Sequence, residues 1–377
     1  MIHVHIYTGK GQIEDGFIRF HDKIIEVNSM NNYTRKTDEK VIDGKGQIVI
    51  PGMIDIHTHG GYGIDFMDAN VKKIKELSRR MLNEGITTFF ATTITQHPQA
   101  IEQALKAIKQ AKDSVPMIKG IHLEGPYVSK KRAGAQPLAY ITPPNIEQFL
   151  QWYEISGQLI KLVTYAPELE GAKKFEQIMI DKEIILSVGH SDAVRDQLLP
   201  SAATHATHLF NGMRGLHHRE VGVAGHALLS DEMFVEVIAD GVHIHPDMLK
   251  LTYQLKGAEK ICVITDAMRA KGMPDGEYEL GGQQVFVKDG EARLENGSLA
   301  GSVLTMDQAF RNIITFTGCS VEEAVQMTSG NQAREFSLKN KGFISAGMDA
   351  DFVRMTDQFE IIETYKLGKA FRKGGNR

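Results

Sequence analysis

The chain of 377 residues contains only two cysteines, Cys262 and Cys319. So few thiols exclude a disulfide-stapled scaffold and a thiolate metal cluster. Cys262 lies in an apolar run and Cys319 beside a turn, so both read as ordinary thiols, wholly or partly buried. A basic excess is also missing, since the formal net charge is -4, and this argues against a nucleic-acid binder. No apolar run approaches the roughly 18 residues of a membrane span. Met1 to Lys10 lacks the basic-then-apolar layout of a secretion signal. The expectation is a cytoplasmic protein with no membrane or nucleic-acid partner.

What is present is ordinary globular material, 42% hydrophobic and 24% charged, on a length that suits one large domain and one small one. The first 50 residues are short β-like runs broken by turns: Ile2 to Tyr7, Gly16 to Phe20 and Lys23 to Val27. The C-terminal end repeats the style at Phe343-Ile344, Ala350 to Met355 and Glu360 to Tyr365. The two ends together predict a small β-sandwich domain, 1–50 plus 341–377.

Between them, strand-length apolar runs alternate with helix-length segments, the signature of repeated βα units. Eight candidate strands can be marked: Ile48–Ile56, Ile86–Ile94, Ile118–Leu123, Ile160–Tyr165, Ile184–Val188, Thr204–Leu209, Phe234–Ala239 and Ile261–Thr265. Thr204–Leu209 is the shortest on apolar content. Helical patterns fall between strands at Val71 to Asn83, Gln99 to Lys112 and Asp192 to Leu199. The fold class predicted is α/β, a (β/α)8 TIM-type barrel over 51–340, a span that meets the ~250 residues such a barrel needs. Tyr278 to Leu294, with Gly281-Gly282 and Asp289-Gly290, reads as a hairpin insertion. Thr305 to Phe316 reads as the eighth barrel helix, and Ser320 to Phe336 as one more.

The polar residues of catalytic type gather at the C-terminal ends of these strands, where barrel active sites form. The first strand ends in Asp55-Ile56-His57-Thr58-His59. Alternation puts His57 and His59 on one face, as a divalent metal requires or as a polar cluster would show. Glu124 follows the third strand as a metal ligand or a surface turn residue. His190 and His208 extend the nitrogen and oxygen donors, which suit Zn, Fe, Mn or Co. His205, three residues before His208, falls on the opposite face by alternation and reads as structural. Asp266 ends the eighth strand as ligand, general base or cap. A water activated for attack needs a proton acceptor and a leaving amine needs a donor, so a carboxylate there can serve both. His3, His5, His21 and His97 read as incidental, His226 as helical, and His245, before Pro246, as a helix start. His217 and His218 precede Arg219 in a loop.

The sequence resembles the N-acetylglucosamine-6-phosphate deacetylases of the amidohydrolase superfamily. The stretches that carry the resemblance are PGMIDIHTHG (51–60), HLEGPYVSKKRAGAQP (122–137), VGHSDA (188–193), ATHLFNGM (206–213), IADGVH (238–243), VITDAM (263–268) and GSLAGSVLTMDQA (297–309). PGxIDxHxH marks the superfamily; the HLEGP, THLFNxM and LAGS stretches mark the family. The resemblance implies Glu124, His190 and His208 as principal metal ligands, and His57 and His59 as a second site. Because some members replace that pair and keep one ion, the intact pair implies a two-metal site, within an expectation of one or two divalent ions per subunit. It also implies Asp266 as acid/base and His243 on the substrate carbonyl. Asn211 and Gly212 are implied as substrate contacts, with Gly where many members have Ala; Leu299, Ala300 and Gly301 form a nearby loop. Arg219 is implied to reach a neighbour's substrate phosphate, hence a homodimer. Many members carry a phosphate-binding His where this sequence has Ala135-Gln136, so capture is expected to lean on Arg219, with Lys130, Lys131, Arg132 or His218 as helpers. The superfamily's carboxylated lysine is not evident, and Glu124 fills the bridging role.

The activity implied is deacetylation of N-acetylglucosamine 6-phosphate in amino-sugar catabolism or cell-wall sugar recycling. The galacto epimer is an alternative. So is another amidohydrolase reaction, on a cyclic amide or a nucleobase, though neither explains HLEGP or the Arg219 loop. A non-catalytic phosphosugar-binding barrel would be expected to lose ligands or Asp266, and none is lost.

Overall fold

Eight parallel strands pair in chain order: Met53–Thr58, Ile86–Thr93, Ile118–Glu124, Ile160–Tyr165, Ile185–Val188, His205–Ala206, Phe234–Ile238 and Ile261–Ile264. The structure, a computed structural model, describes residues 1–372, so 373–377 of the expected small domain lie outside the described residues. Such strands are covered on both faces; every residue of Ile86–Thr93 is buried, its four threonines included. The barrel closes where Thr58 bridges Ala267 and the Asp266 N–H donates to the His57 carbonyl at 2.9 Å. Asp55 seals the same seam, accepting from the Thr265 hydroxyl at 2.6 Å. Its burial, only partly offset by Lys271, pushes the Asp55 carboxyl up to about 6.

Helices follow the strands as amphipathic covers. Val71–Met81 buries Ile74, Leu77, Ser78 and Met81, the i, i+3, i+4, i+7 stripe of one helical face. Asn70 caps it by accepting from the Lys72 and Lys73 N–H groups. Pro98–Lys112 and Met306–Thr317 lie where the sequence predicts them. His245 caps Pro246–Lys256 and His226 lies in Gly222–Leu229, as expected.

Three boundaries differ from expectation. The run Ile48–Ile56 is two strands, because Ile48–Pro51 joins the small sheet and Met53–Thr58 the barrel, with a handover at Gly52. A side chain on Gly52 would collide with Thr87, and the Gly52 N–H donates to Asp351. Thr204–Leu209 shrinks to His205–Ala206, since the backbone turns left-handed at His208 (φ 31) and Phe210 (φ 75). Asp192 to Leu199 shortens to one turn, Arg195–Leu198.

Both chain ends build one seven-stranded sheet in the order Lys369–Arg372, Ile361–Lys366, Phe352–Met355, Ile48–Pro51, Val4–Tyr7, Gln12–Phe20, Ile24–Ser29. It curls over its own core: the Phe20 ring lies 5.0 Å from Phe352 and 5.5 Å from Tyr365, although these strands are not neighbours. The insertion after the eighth strand is a three-stranded meander, Gly276–Leu280, Gln283–Lys288 and Glu291–Leu294. Its turns carry positive φ at both central residues, Gly281-Gly282 and Asp289-Gly290, the geometry that matches strand twist in tight hairpins. Leu280, Val285 and Leu294 pack with Ile94 and Met268, which fixes the meander against the barrel mouth.

Candidate active site

Strand ends deliver the chemistry. His57 lies near the end of the first strand and Glu124 ends the third. His190, His208 and Asp266 stand just past the fifth, sixth and eighth strands, all with left-handed φ of 46, 31 and 48. A residue other than glycine costs about 1–3 kcal/mol in such a conformation and keeps it where the surroundings over-determine it. Three such residues at one mouth mark a site built for aim, not for backbone comfort.

Glu124 is the hub. Its Oε1 lies 3.2 Å from His190 Nε2 and 3.1 Å from His208 Nε2, and these two nitrogens are 3.1 Å apart. On its other side His59 Nε2 stands 3.3 Å from Oε2, and His57 Nε2 3.7 Å from Oε1. Asp266 Oδ1 is 3.3 Å from both His57 Nε2 and His59 Nε2. All six side chains are nearly or wholly buried.

The residues fit a divalent ion. His57, His59 and Glu124 form one convergent donor group, and Glu124, His190 and His208 another, each with its ligand atoms within 4.8 Å of one another. His57 Nε2 is buried with no hydrogen-bond partner, an arrangement costly for a polar atom that has nothing to bind. Two of the ligands are aimed from behind, as bound imidazoles usually are. His57 Nδ1 lies 2.9 Å from Glu236 Oε2, and His190 Nδ1 lies 2.8 Å from the Arg132 carbonyl. Burial opposes the charge on Glu124, but His57 and hydrogen bonds from His190, His208 and His59 outweigh it and hold the carboxyl well below its usual range. Asp266 is lowered in the same way, against burial, by His57 and His59. Both are therefore ionised near neutrality, the state in which one can ligate and the other can accept a proton.

Above this floor lies a cavity of about 370 Å³. Of the residues named from sequence, His59, Glu124, His190, His208, His243 and Asp266 line it, and so do Asn211, Gly212, Ala135, Gln136, Leu299 and Gly301. His57 lies beneath, and Ala300 is buried behind the loop. His243 is held by Asp240, whose Oδ2 lies 2.6 Å from Nδ1, which leaves Nε2 for a substrate. At Gly212 the backbone has φ 55, and an added Cβ would sit 2.7 Å from His190 Nδ1, so the chain passes close to a ligand there.

Three readings from sequence change. Gln136 is in the cavity wall, but its amide is committed: Nε2 donates to Glu124 Oε2 at 2.8 Å and Oε1 accepts from the Thr95 N–H at 3.0 Å. The oxygen is thus taken, and one of the two amide hydrogens is spent on Glu124. Arg132 pairs with Asp192 at 2.9 Å, Lys131 lies 3.7 Å from the same carboxylate, and neither lines the cavity. Arg219, expected to serve a neighbour's site, does not line its own chain's cavity and is exposed, against His218. His205 is not turned away from the site, because the strand ends at Ala206 and alternation stops there; its Nε2 lies 3.2 Å from Glu236.

Sequence reasoning missed Glu236, Asp240 and Arg293. Glu236 had a signal: one carboxylate inside the buried strand FVEVI, where a lone charge demands a partner. Arg293 had none, since only the meander's fold over the mouth brings it into the cavity wall. It is the one Lys or Arg lining that cavity among the described residues, braced by Glu291 at 2.7 Å.

Residues 48–371 match the amidohydrolase family. An N-acetylglucosamine-6-phosphate deacetylase of Lysinibacillus sphaericus is 44% identical over 334 residues, 87% of this chain and 86% of its own length. The enzyme of that name from Bacillus subtilis is 42% identical over 375 residues, covering 97% and 95%. Among solved structures, an N-acetyl-D-glucosamine-6-phosphate deacetylase mutant from Mycobacterium smegmatis, in complex with N-acetyl-D-glucosamine-6-phosphate, matches with a TM-score of 0.91 at 29% identity over 97% of this chain and 98% of that one. The chain belongs to the amidohydrolase family and, within it, to the N-acetylglucosamine-6-phosphate deacetylases.

Proposed function

We propose that this chain hydrolyses the acetamide of N-acetyl-D-glucosamine 6-phosphate, releasing acetate and D-glucosamine 6-phosphate. The observation that carries the reading is Asp266, ionised and 3.3 Å from both His57 and His59, at the floor of a cavity whose carboxylate hub joins two imidazole pairs. Glu124, His190 and His208 would hold one divalent ion, and His57, His59 and Glu124 a second. Zn, Fe, Mn and Co all suit these donors. A bound ion supplies Lewis acidity, polarising the carbonyl and acidifying water.

The chain's own residues do the rest. Asp266 accepts the proton of the attacking water as its oxygen bonds to the acetyl carbon. His243, fixed by Asp240, presents Nε2 to the carbonyl oxygen as charge develops there. As the carbon–nitrogen bond breaks, Asp266 returns the proton to the leaving amine. Leu299 and Gly301, with the meander above them, cover the sugar and limit water.

The phosphate needs cations. Arg293 supplies one within the chain. Arg219 supplies another to a partner's cavity if two copies associate through its loop. Support for that homodimer comes from Leu216, Leu229 and Leu255, exposed by 58%, 60% and 56% on the same loop and on helices Gly222–Leu229 and Pro246–Lys256. Two free buried cysteines and no cysteine pair fit a reducing, cytoplasmic setting. Calorimetry on the metal-loaded Asp266→Asn protein tests the substrate assignment. Binding of the phosphorylated acetamido sugar, with at least tenfold weaker binding of the unphosphorylated one, is expected; equal affinities would contradict it.

A further inference from the structure

Glu236 belongs to none of the motifs that carry the family resemblance, yet it is a carboxylate with three hydrogen-bonding partners beneath the site. It is wholly buried on the seventh strand. Its Oε2 lies 2.9 Å from His57 Nδ1 and accepts the His208 backbone N–H at 3.1 Å. Its Oε1 lies 3.2 Å from His205 Nε2, and His205 Nδ1 lies 2.7 Å from Glu335 Oε1 on the helix Asn331–Glu335. His57, Glu236, His205 and Glu335 thus form one buried polar line from the cavity floor down through the barrel interior.

We propose that Glu236, braced by His205 and Glu335, is a positioning residue that fixes the ring of His57 for metal binding and so decides whether the His57–His59 group holds an ion. This rests on the two-ion reading above. The geometry gives the reason. An imidazole whose Nδ1 hydrogen is donated to a carboxylate presents the Nε2 lone pair in a set direction and with greater basicity. His57 Nε2 is the atom that is buried without a partner and faces Glu124 and Asp266. Its neighbour His59 has no such brace, because His59 Nδ1 is buried with no partner at all. The His57–His59 group therefore depends on a single anchor. The other group has a different anchor: His208 Nδ1 is likewise unpartnered, but His190 is held by the Arg132 carbonyl, and Glu236 reaches that group only at the His208 backbone N–H, not at a ligand ring. Loss of the Glu236 carboxylate should release one ion and keep the other.

Glu236 could be read instead as a direct ligand, since it converges with His57 and His122. Against this, the 2.9 Å separation from His57 is a hydrogen bond, and His122 Nε2 is taken by the Thr164 hydroxyl at 2.7 Å.

The test measures metal per chain by elemental analysis, over a zinc titration, for the full-length wild type, His57→Asn, Glu236→Gln and Glu335→Gln, each with a melting curve. The expected pattern is two ions in the wild type and one in His57→Asn. Glu236→Gln should hold one ion at zinc levels that saturate the wild type and recover the second only at zinc about 10–100-fold higher, the range for lost outer partners. Glu335→Gln should shift the second ion in the same direction by a smaller factor, and it serves in place of Glu236→Gln if that variant does not fold. A merely structural role would lower the melting temperature and leave the zinc titration unmoved. Two ions at wild-type affinity in Glu236→Gln, beside one in His57→Asn, overturns the inference alone. One ion in every protein, wild type included, overturns the two-ion reading and the inference with it.

Discussion

Gln136 Nε2 donates to Glu124 Oε2 at 2.8 Å, and Thr95 holds the other end of the same amide. A side chain placed by sequence in the phosphate pocket is spent on the carboxylate that organises the metal donors. Removing a hydrogen bond to a charged group costs about 1.5–3 kcal/mol. Gln136→Ala should therefore lower kcat/KM roughly 10–100-fold, and by the same factor for phosphorylated and unphosphorylated acetamido sugars. Side-by-side kinetics on the two substrates check this. A loss confined to KM for the phosphorylated sugar would restore the phosphate role.

Asp266 belongs to neither metal donor group, although it lies 3.3 Å from two of the histidines. Asp266→Asn should cut kcat by about 10²–10⁴, the usual range for a lost acid/base, while metal content stays near that of the wild type. Turnover and elemental analysis on the same preparation separate the roles. Wild-type turnover would remove Asp266 from the chemistry, and loss of an ion would make it a ligand.

The two arginines should part company in mixed oligomers. Arg219→Ala and Arg293→Ala should each raise KM for the phosphorylated sugar about tenfold or more and leave the unphosphorylated sugar nearly unaffected. Mixing Arg219→Ala with the inactive Asp266→Asn should restore part of the activity, because one chain then has a working cavity and the other supplies its arginine. Mixing Arg293→Ala with Asp266→Asn should restore none. Complementation in both mixtures, or in neither, contradicts these placements.

His205 lies between two buried carboxylates. Burial opposes its charge, but Glu335 and Glu236 outweigh it and push the imidazole up to about 10, from an ordinary 6.5. A raised pKa stabilises the fold while the group is protonated in both states, below about 6.5, and the contribution fades as pH climbs to about 10. The melting-temperature gap between the wild type and His205→Gln should be widest below pH 6.5 and narrow steadily above it. A gap that stays constant across that window would show that His205 is neutral in the fold.

Much of this architecture was legible in the sequence because barrels write themselves in apolar runs. Ile86–Thr93 and Ile118–Glu124 are buried on both faces and stand out from their flanks, so their ends and the residues after them could be placed. The sixth strand could not be, since left-handed backbone at His208 and Phe210 leaves no trace in residue type. That same turn misled the reading of His205, where alternation was carried past the end of the strand. Gly52 hid the handover between two sheets within one continuous apolar stretch. His57, His59, Glu124, His190, His208 and Asp266 were named because each stands at or just past the end of a strand. Arg293 and the Gln136–Glu124 bond depend on how loops fold over the mouth, and nothing local in the sequence encodes that contact.

The most direct test of the central claim is acetate release from N-acetyl-D-glucosamine 6-phosphate, run beside the galacto epimer and the unphosphorylated sugar, with and without a chelator. The account predicts fast release from the gluco phosphate, slower release from the other two, and loss of all activity on chelation with recovery when Zn, Fe, Mn or Co is returned. No release from any of the three by the metal-loaded protein, or release that survives complete metal removal, would contradict it.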